Sequence, residues 1–406
     1  MKKKPSWPTV IGPLATFAAG YRRELASAGY SRWTASAHMY LMADVSDWLD
    51  ERDLVASEFH SERVSRFLAD RRSSGQVRRL TPRGLIPLLG YLRSLGVLPE
   101  EAVPERDDPA GCLLREFAEY LAHERGLAPG TIAGYRYFAG VFLDTCAPDP
   151  TTAGCGVSTL NAEDVNVFLV TECTRRSVGS AGNVVAALRV LLRFFYVRGY
   201  TATPLADCVP KAAAWRDSGR SRSLDASEVS RLLASCDRRT SAGRRDFAIL
   251  TVLVRLGLRA KEVATLSLAD LDWHAGVITV AGKGGRTDRL PLPADVGGAV
   301  ADYCRRGRPR NEHRALFLQV RAPYAALTSD MVSHVVVRAC RRAGISPVGA
   351  HRLRHTSASA MRRAGAPLFE IGQVLRHHWV VSTALYAKDD LDALAAIARP
   401  WPGARS

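Results

Sequence analysis

The stretch His351-Arg352-Leu353-Arg354-His355-Thr356 decides how this 406-residue chain is read. On a helix, His351 and Arg354 stand three residues apart and His355 follows His351 by four, so the three share one face. A guanidinium flanked by imidazoles near a helix start suits a phosphate, because arginine donates two parallel hydrogen bonds to two phosphate oxygens. A solvated basic helix and a two-histidine zinc site use the same residues. The zinc reading lacks a nearby third ligand of obvious spacing and the glutamate of an H-E-x-x-H helix.

Outward from that stretch the chemistry accumulates in a fixed order. Downstream stands Leu375-Arg376-His377-His378, and Tyr386 follows His377 by nine residues. Upstream, Leu256-Gly257-Leu258-Arg259-Ala260-Lys261-Glu262 sets a cation at the end of a strongly apolar helix. Between them, the segments 276–281 (GVITVA) and 289–293 (RLPLP) read as two short strands. Lys283 lies at the glycine-rich tip Gly282-Lys283-Gly284-Gly285-Arg286 that joins them. That tip is no Walker loop, because the G-x-x-x-x-G-K-[ST] frame is absent. Taken singly, each residue has a bland reading: Arg259 as surface decoration, Lys283 as a solvated turn lysine, Tyr386 as a half-buried aromatic. Taken together, they need neither metal nor nucleotide. Guanidinium and imidazole groups can neutralise charge on the non-bridging oxygens of a phosphodiester. Tyrosine can supply the nucleophile, given help against its ordinary pKa of about 10. Lysine can protonate the departing alkoxide.

In this order the residues resemble the catalytic domain of the tyrosine recombinases, the phage integrase family. The G-[LM]-R-x-x-E box is matched by Gly257, Leu258, Arg259 and Glu262, and the hairpin box by Gly282, Lys283, Gly284, Arg289, Pro291 and Leu292. The H-x-L-R-H-[ST] box is matched throughout by 351–356, and the L-G-H…Tyr box by Leu375, His377 and Tyr386. The resemblance implies a site of Arg259, Lys283, His351, Arg354, His377 and Tyr386. Tyr386 would attack DNA and form a 3′-phosphotyrosyl link, and Arg259 and Arg354 would clamp the phosphate. His351 would help remove the tyrosine proton, His377 would bond the phosphate, and Lys283 would protonate the leaving oxygen. Glu262 would hold the arginine box in place. One departure stands out: Arg376 occupies the position where the family has glycine. The resemblance also implies a homotetramer on paired sites of double-stranded DNA, with partner recombinases as a further option and no cofactor. Integration, excision or transposition of a mobile element would be the outcome. A topoisomerase-like relaxing enzyme and a non-catalytic DNA-binding accessory protein are the rival readings. The intact site speaks against the second.

Charge agrees with a polyanion as partner. The net charge is +16, and residues 1–215 hold 25 basic and 23 acidic residues against 31 and 17 in 216–406. The excess therefore sits in the C-terminal half, beside the boxes. No run of about 18 apolar residues suggests a membrane span, and a cytoplasmic location is expected. The eight cysteines form no C-x-x-C pair and read as reduced, mostly buried small hydrophobes.

The fold expected is mainly α with a small antiparallel sheet (α+β). Residues 1–105 and 106–210 each read as four helices with similar glycine punctuation, so the first domain is a candidate repeat of the second. The second resembles the family's core-binding domain, with Arg136, Arg175, Arg176, Arg189 and Arg193 as expected phosphate contacts and Arg286 as a further one on the hairpin. Residues 101–109 and 210–223 read as linkers, and 216–406 as the catalytic domain with a tail helix at 391–398.

Overall fold

The computed structural model describes residues 6–75, 81–99, 108–146, 156–210, 223–282 and 286–376. Lys283, His377, Tyr386, the tail helix expected at 391–398 and most of both expected linkers lie outside these. The chain divides into two compact units, residues 100–218 and residues 1–99 together with 219–406.

Residues 100–218 form a helical unit of α5 (Pro109–Glu119), α6 (Pro129–Cys146), α7 (Ala162–Thr174) and α8 (Val178–Val197), where residues 1–99 carry α1 (Ala18–Ser27), α2 (Arg32–Asp50), α3 (Ser61–Ser73) and α4 (Ile86–Ser94). Pro109 opens a helix instead of closing a linker. Its fixed φ suits the first helical position, and the Asp108 carboxylate accepts from the Gly111 N–H at 2.7 Å. α8 is long and apolar enough to cross a membrane, yet it carries Val184, Leu188, Leu191, Leu192, Phe194 and Phe195 into the core of its unit. A separate core built on Leu14, Tyr21, Met42, Leu49, Phe59 and Phe67 holds residues 1–99.

The third core lies in residues 223–376 and is organised by α10 (Ser241–Leu256), which follows α9 (Ala226–Ala234). α10 begins earlier than the apolar pattern predicts, because the Thr240 side chain caps it by accepting from the Gly243 N–H at 3.0 Å. Its middle is buried almost all round, as its run of apolar residues requires. α11 (Ala260–Thr265), too short to show a period, follows at once. The sheet is antiparallel in the order β1 (Leu271–Asp272), β2 (Val277–Ala281), β3 (Thr287–Pro291). β2 alternates, with Ile278 and Val280 turned into the core. β3 starts two residues before the sequence suggests, because Ala281 pairs with Thr287 and Val277 with Pro291. Three-stranded pairing also draws in β1, whose two residues give no sequence signal. α12 (Ala294–Arg306), α13 (Ser329–Arg342), α14 (Ala350–Arg363) and α15 (Leu368–Val374) complete the region.

The expectation of mostly buried cysteines needs correcting. Among the described residues Cys236 and Cys340 are buried, while Cys112 and Cys208 are exposed and Cys146, Cys173 and Cys304 are intermediate. Helix-surface positions set their exposure, whatever the thiol's apolar character.

Candidate active site

The site forms where α10 ends, α11 begins, and α14 and the end of α15 pack beside them. α10 terminates at Gly257, which takes a left-handed φ of 58°. A Cβ there would also lie 2.6 Å from Leu375 Cδ2. The left-handed backbone therefore demands glycine, and any Cβ there would also have to displace the Leu375 side chain. Leu258 is fully buried, and Arg259 becomes the N-cap of α11 with its side chain facing outward at 38% exposure.

Glu262 reaches back one turn to hold that arginine twice. Its carboxylate accepts from the Arg259 backbone N–H at 2.8 Å and from Arg259 Nη1 at 2.7 Å. A carboxylate in the first turn of α11 also suits the positive end of the helix.

Arg354, in the middle of α14, is 1% exposed. Its Nη1 donates to the Gly257 carbonyl at 2.7 Å and its Nη2 to the Leu375 carbonyl. One guanidinium thus ties three sequence boxes together. Burying this charge without partners would be prohibitive, and the two carbonyls are part of what makes it tolerable. Thr356 in the same helix takes a hydrogen bond from the Leu224 N–H at 3.0 Å, anchoring the start of the region.

His351 lies in the first turn of α14, its ring edge-on to His355 at 4.6 Å between centroids. The residue is exposed, yet enough protein crowds the imidazole to desolvate it in part. That desolvation, followed by the positive fields of Arg354, Arg259 and Arg352, pushes its pKa below the ordinary histidine value. Beside these cations the ring is biased towards its neutral, proton-accepting form.

The described part of the expected site, Arg259, His351 and Arg354, thus gathers in one place. Arg286 sits exposed where the hairpin resumes, its carbonyl accepting from the Gly282 N–H at 2.7 Å. Sequence reasoning noticed Arg376 only as a departure. Its side chain is 7% exposed, its Nη2 lies 2.6 Å from Glu262 Oε2, and its Nε stands 3.8 Å from Asp288 Oδ2 on β3. Its φ of 54° explains why glycine suits this position. Asp288 was missed altogether, since a lone acid in an edge strand carries no sequence signal.

The expected DNA contacts of the helical unit divide. Arg136 and Arg193 are exposed. Arg175 is 71% exposed, at 3.6 Å from Glu172. Arg176 is paired with Glu172 at 2.6 Å and lies over the Phe138 ring. Arg189 donates to the carbonyls of Val209 and Pro210 at 3.1 and 3.0 Å, holding the end of its own unit.

Known proteins place this arrangement. The phage integrase family is matched over residues 222–392, which contain every element of the site. A Sinorhizobium fredii protein described as an integrase/recombinase, y4rA, is 39% identical over 97% of this chain and 95% of its own length. The chain belongs to the tyrosine recombinases, the phage integrase family. It is a DNA recombinase by that membership. The tyrosine recombinase XerD of Listeria monocytogenes is 28% identical over 68% of the chain and 93% of its own length. In fold, this recombinase is similar to the XerH site-specific recombinase solved on its difH substrate, with a TM-score of 0.57, 17% identity, and coverage of 82% of this chain and 93% of that one. It is also similar to a lambda integrase tetramer on a Holliday junction, with a TM-score of 0.55, 16% identity, and coverage of 81% and 90%.

Proposed function

We propose that this recombinase cuts and rejoins double-stranded DNA through Tyr386, in the integration, excision or transposition of a mobile element. The Tyr386 hydroxyl oxygen attacks the scissile phosphorus, the bond from phosphorus to the 5′ oxygen breaks, and a 3′-phosphotyrosyl link forms. His351 takes the phenolic proton, and Lys283 gives one to the departing 5′ oxygen. Arg259 and Arg354 bear on the non-bridging oxygens, with a hydrogen bond from His377. Because the phosphotyrosine keeps the energy of the bond it replaces, rejoining needs no ATP. The chemistry of these residues calls on no metal.

The observation that carries this reading is the hydrogen bond from Arg354 to the carbonyl of Gly257, two residues before Arg259, with His351 in the first turn of the same helix as Arg354. The same guanidinium holds Leu375, two residues before His377. A homotetramer on paired sites is the working assembly, supported by the likeness in fold to the lambda integrase tetramer on a Holliday junction. Partner recombinases remain part of the proposal. Three domains at 1–105, 106–210 and 216–406 fit the three separate cores. In that arrangement Arg136, Arg175, Arg193 and Arg286 offer charge to the DNA backbone.

The test uses the element's own terminal DNA, nicked near the cleavage point so that rejoining is blocked. The wild-type protein is expected to give an SDS-stable protein–DNA band without metal or ATP, and Tyr386→Phe none. A band with Tyr386→Phe would remove Tyr386 as the nucleophile.

A further inference from the structure

We propose that Arg376 is a positioning residue of the phosphate site: through the Glu262 carboxylate that it shares with Arg259, it holds that arginine and leaves its charge uncancelled for the scissile phosphate. The proposal rests on the reading of the site given above.

Several unfavourable features meet at this one residue. Its backbone is left-handed at φ 54°, a conformation that costs a long side chain and spares glycine. Its side chain is only 7% exposed. Its Nε and Nη1 have no hydrogen-bond partner among the described residues. Buried donors left without partners are rare and destabilising. Burial first, and then the charge of Arg259, push its pKa below the ordinary arginine value, against the opposing pull of Glu262 and Asp288. A glycine would avoid every one of these features. An arginine kept there is more readily explained by what it does to its neighbours.

What it does is visible in the charge balance. Glu262 is buried at 4% exposure and gives one carboxylate oxygen to Arg259 Nη1 at 2.7 Å and the other to Arg376 Nη2 at 2.6 Å. With Arg259 alone, its pair with Glu262 would be neutral and its share of the clamp's field weak. With Arg376 added, two cations share one anion, and a net positive charge remains in a poorly solvated place where it acts strongly. The second ion pair also fixes the carboxylate's rotation, and with it the Arg259 guanidinium. Asp288 stands 3.8 Å from Arg376 Nε on the exposed edge strand and offsets part of that charge.

The experiment measures single-turnover cleavage of the nicked duplex, with either an ordinary phosphate or an uncharged methylphosphonate at the mapped scissile position. Wild type, Arg376→Gly, Arg376→Lys and Asp288→Asn are compared. Removing the negative charge from the substrate removes the need for a well-placed cation. Arg376→Gly is expected to slow cleavage of the phosphate about 10- to 100-fold, below the roughly 100- to 1,000-fold seen when a donor in direct contact is lost, because Arg376 acts through Glu262 and Arg259. Its affinity for DNA and its rate on the methylphosphonate should stay close to wild type. Arg376→Lys, which keeps the charge but not the fork, should fall between, and it carries the same comparison should the glycine variant melt early. Asp288→Asn should cleave at least as fast as wild type. Equal losses on both substrates, or a loss in Asp288→Asn as large as in Arg376→Gly, would mean that Arg376 only ties elements together, and would overturn the proposal. A wild-type protein that captures neither duplex would overturn the reading of Tyr386 on which the proposal rests.

Discussion

Two arginines of the helical unit 108–210 and two of the region 223–376 make contacts of different reach. Arg176 pairs with Glu172 one turn away on its own chain segment, and Arg189 caps carbonyls 20 and 21 residues on. Arg354 instead reaches backbone carbonyls 97 and 21 residues away, and Arg376 a carboxylate 114 residues away. The first kind of contact serves its own unit. The second kind joins elements distant in the chain; Arg354 in particular holds them in register, so its loss should disturb chemistry and fold together.

The sharpest break between the two regions is expected at these arginines. Arg354→Ala should abolish covalent capture and cost about 2–5 kcal/mol in chemical denaturation, because the Gly257 and Leu375 carbonyls lose a buried charged donor. Arg176→Ala should cost less, about 1 kcal/mol, since its part-buried pair with Glu172 is local to one helix and Arg175 still stands beside that carboxylate. Similar losses in both variants would erase the distinction.

Two glycines sharpen it, because they differ in surroundings and not in backbone. Gly126 and Gly257 both have φ 58°, but a Cβ at Gly126 would meet nothing within 4 Å. Gly126→Ala should cost about 1–2 kcal/mol from the left-handed backbone alone. Gly257→Ala should cost about 2–5 kcal/mol, the excess arising from the clash with Leu375. Equal values would show that Leu375 gives way freely.

Salt dependence separates arginines within the helical unit. Arg193→Ala should flatten the slope of log K against log salt by about 0.9 for duplex DNA. Arg176→Ala should leave the slope unchanged, its charge being already matched by Glu172.

The smallest expected effect is the pH response of His351. Its pKa in the folded chain is lowered, so the folded state binds this proton less readily than the unfolded one. Its contribution to stability is full above the unfolded value of about 6.5. It is lost as pH falls towards the lowered folded value, and is constant below that. Wild type should therefore lose stability relative to His351→Gln on acidification, and cleavage should persist to a lower pH than an ordinary histidine would allow. Parallel stability curves for the two proteins would contradict the shift.

By itself the sequence determined the local matters: the helix period, the glycine stops, the shared face of His351, Arg354 and His355, and the order of the four boxes. These depend on neighbours within a few residues, so spacing records them. It also carried the mainly α fold with its small antiparallel sheet. It left β1, the early starts of α10 and β3, and the exposure of Cys112 and Cys208 to be found, since these follow from pairing, capping and packing that a short window does not contain. Only the tertiary structure decided that Arg354 would hold Gly257 and Leu375, and that Arg376 and Asp288 belong with Glu262. Buried charges settle wherever the fold brings a carbonyl or a carboxylate within reach, and the distance along the chain has no part in that choice.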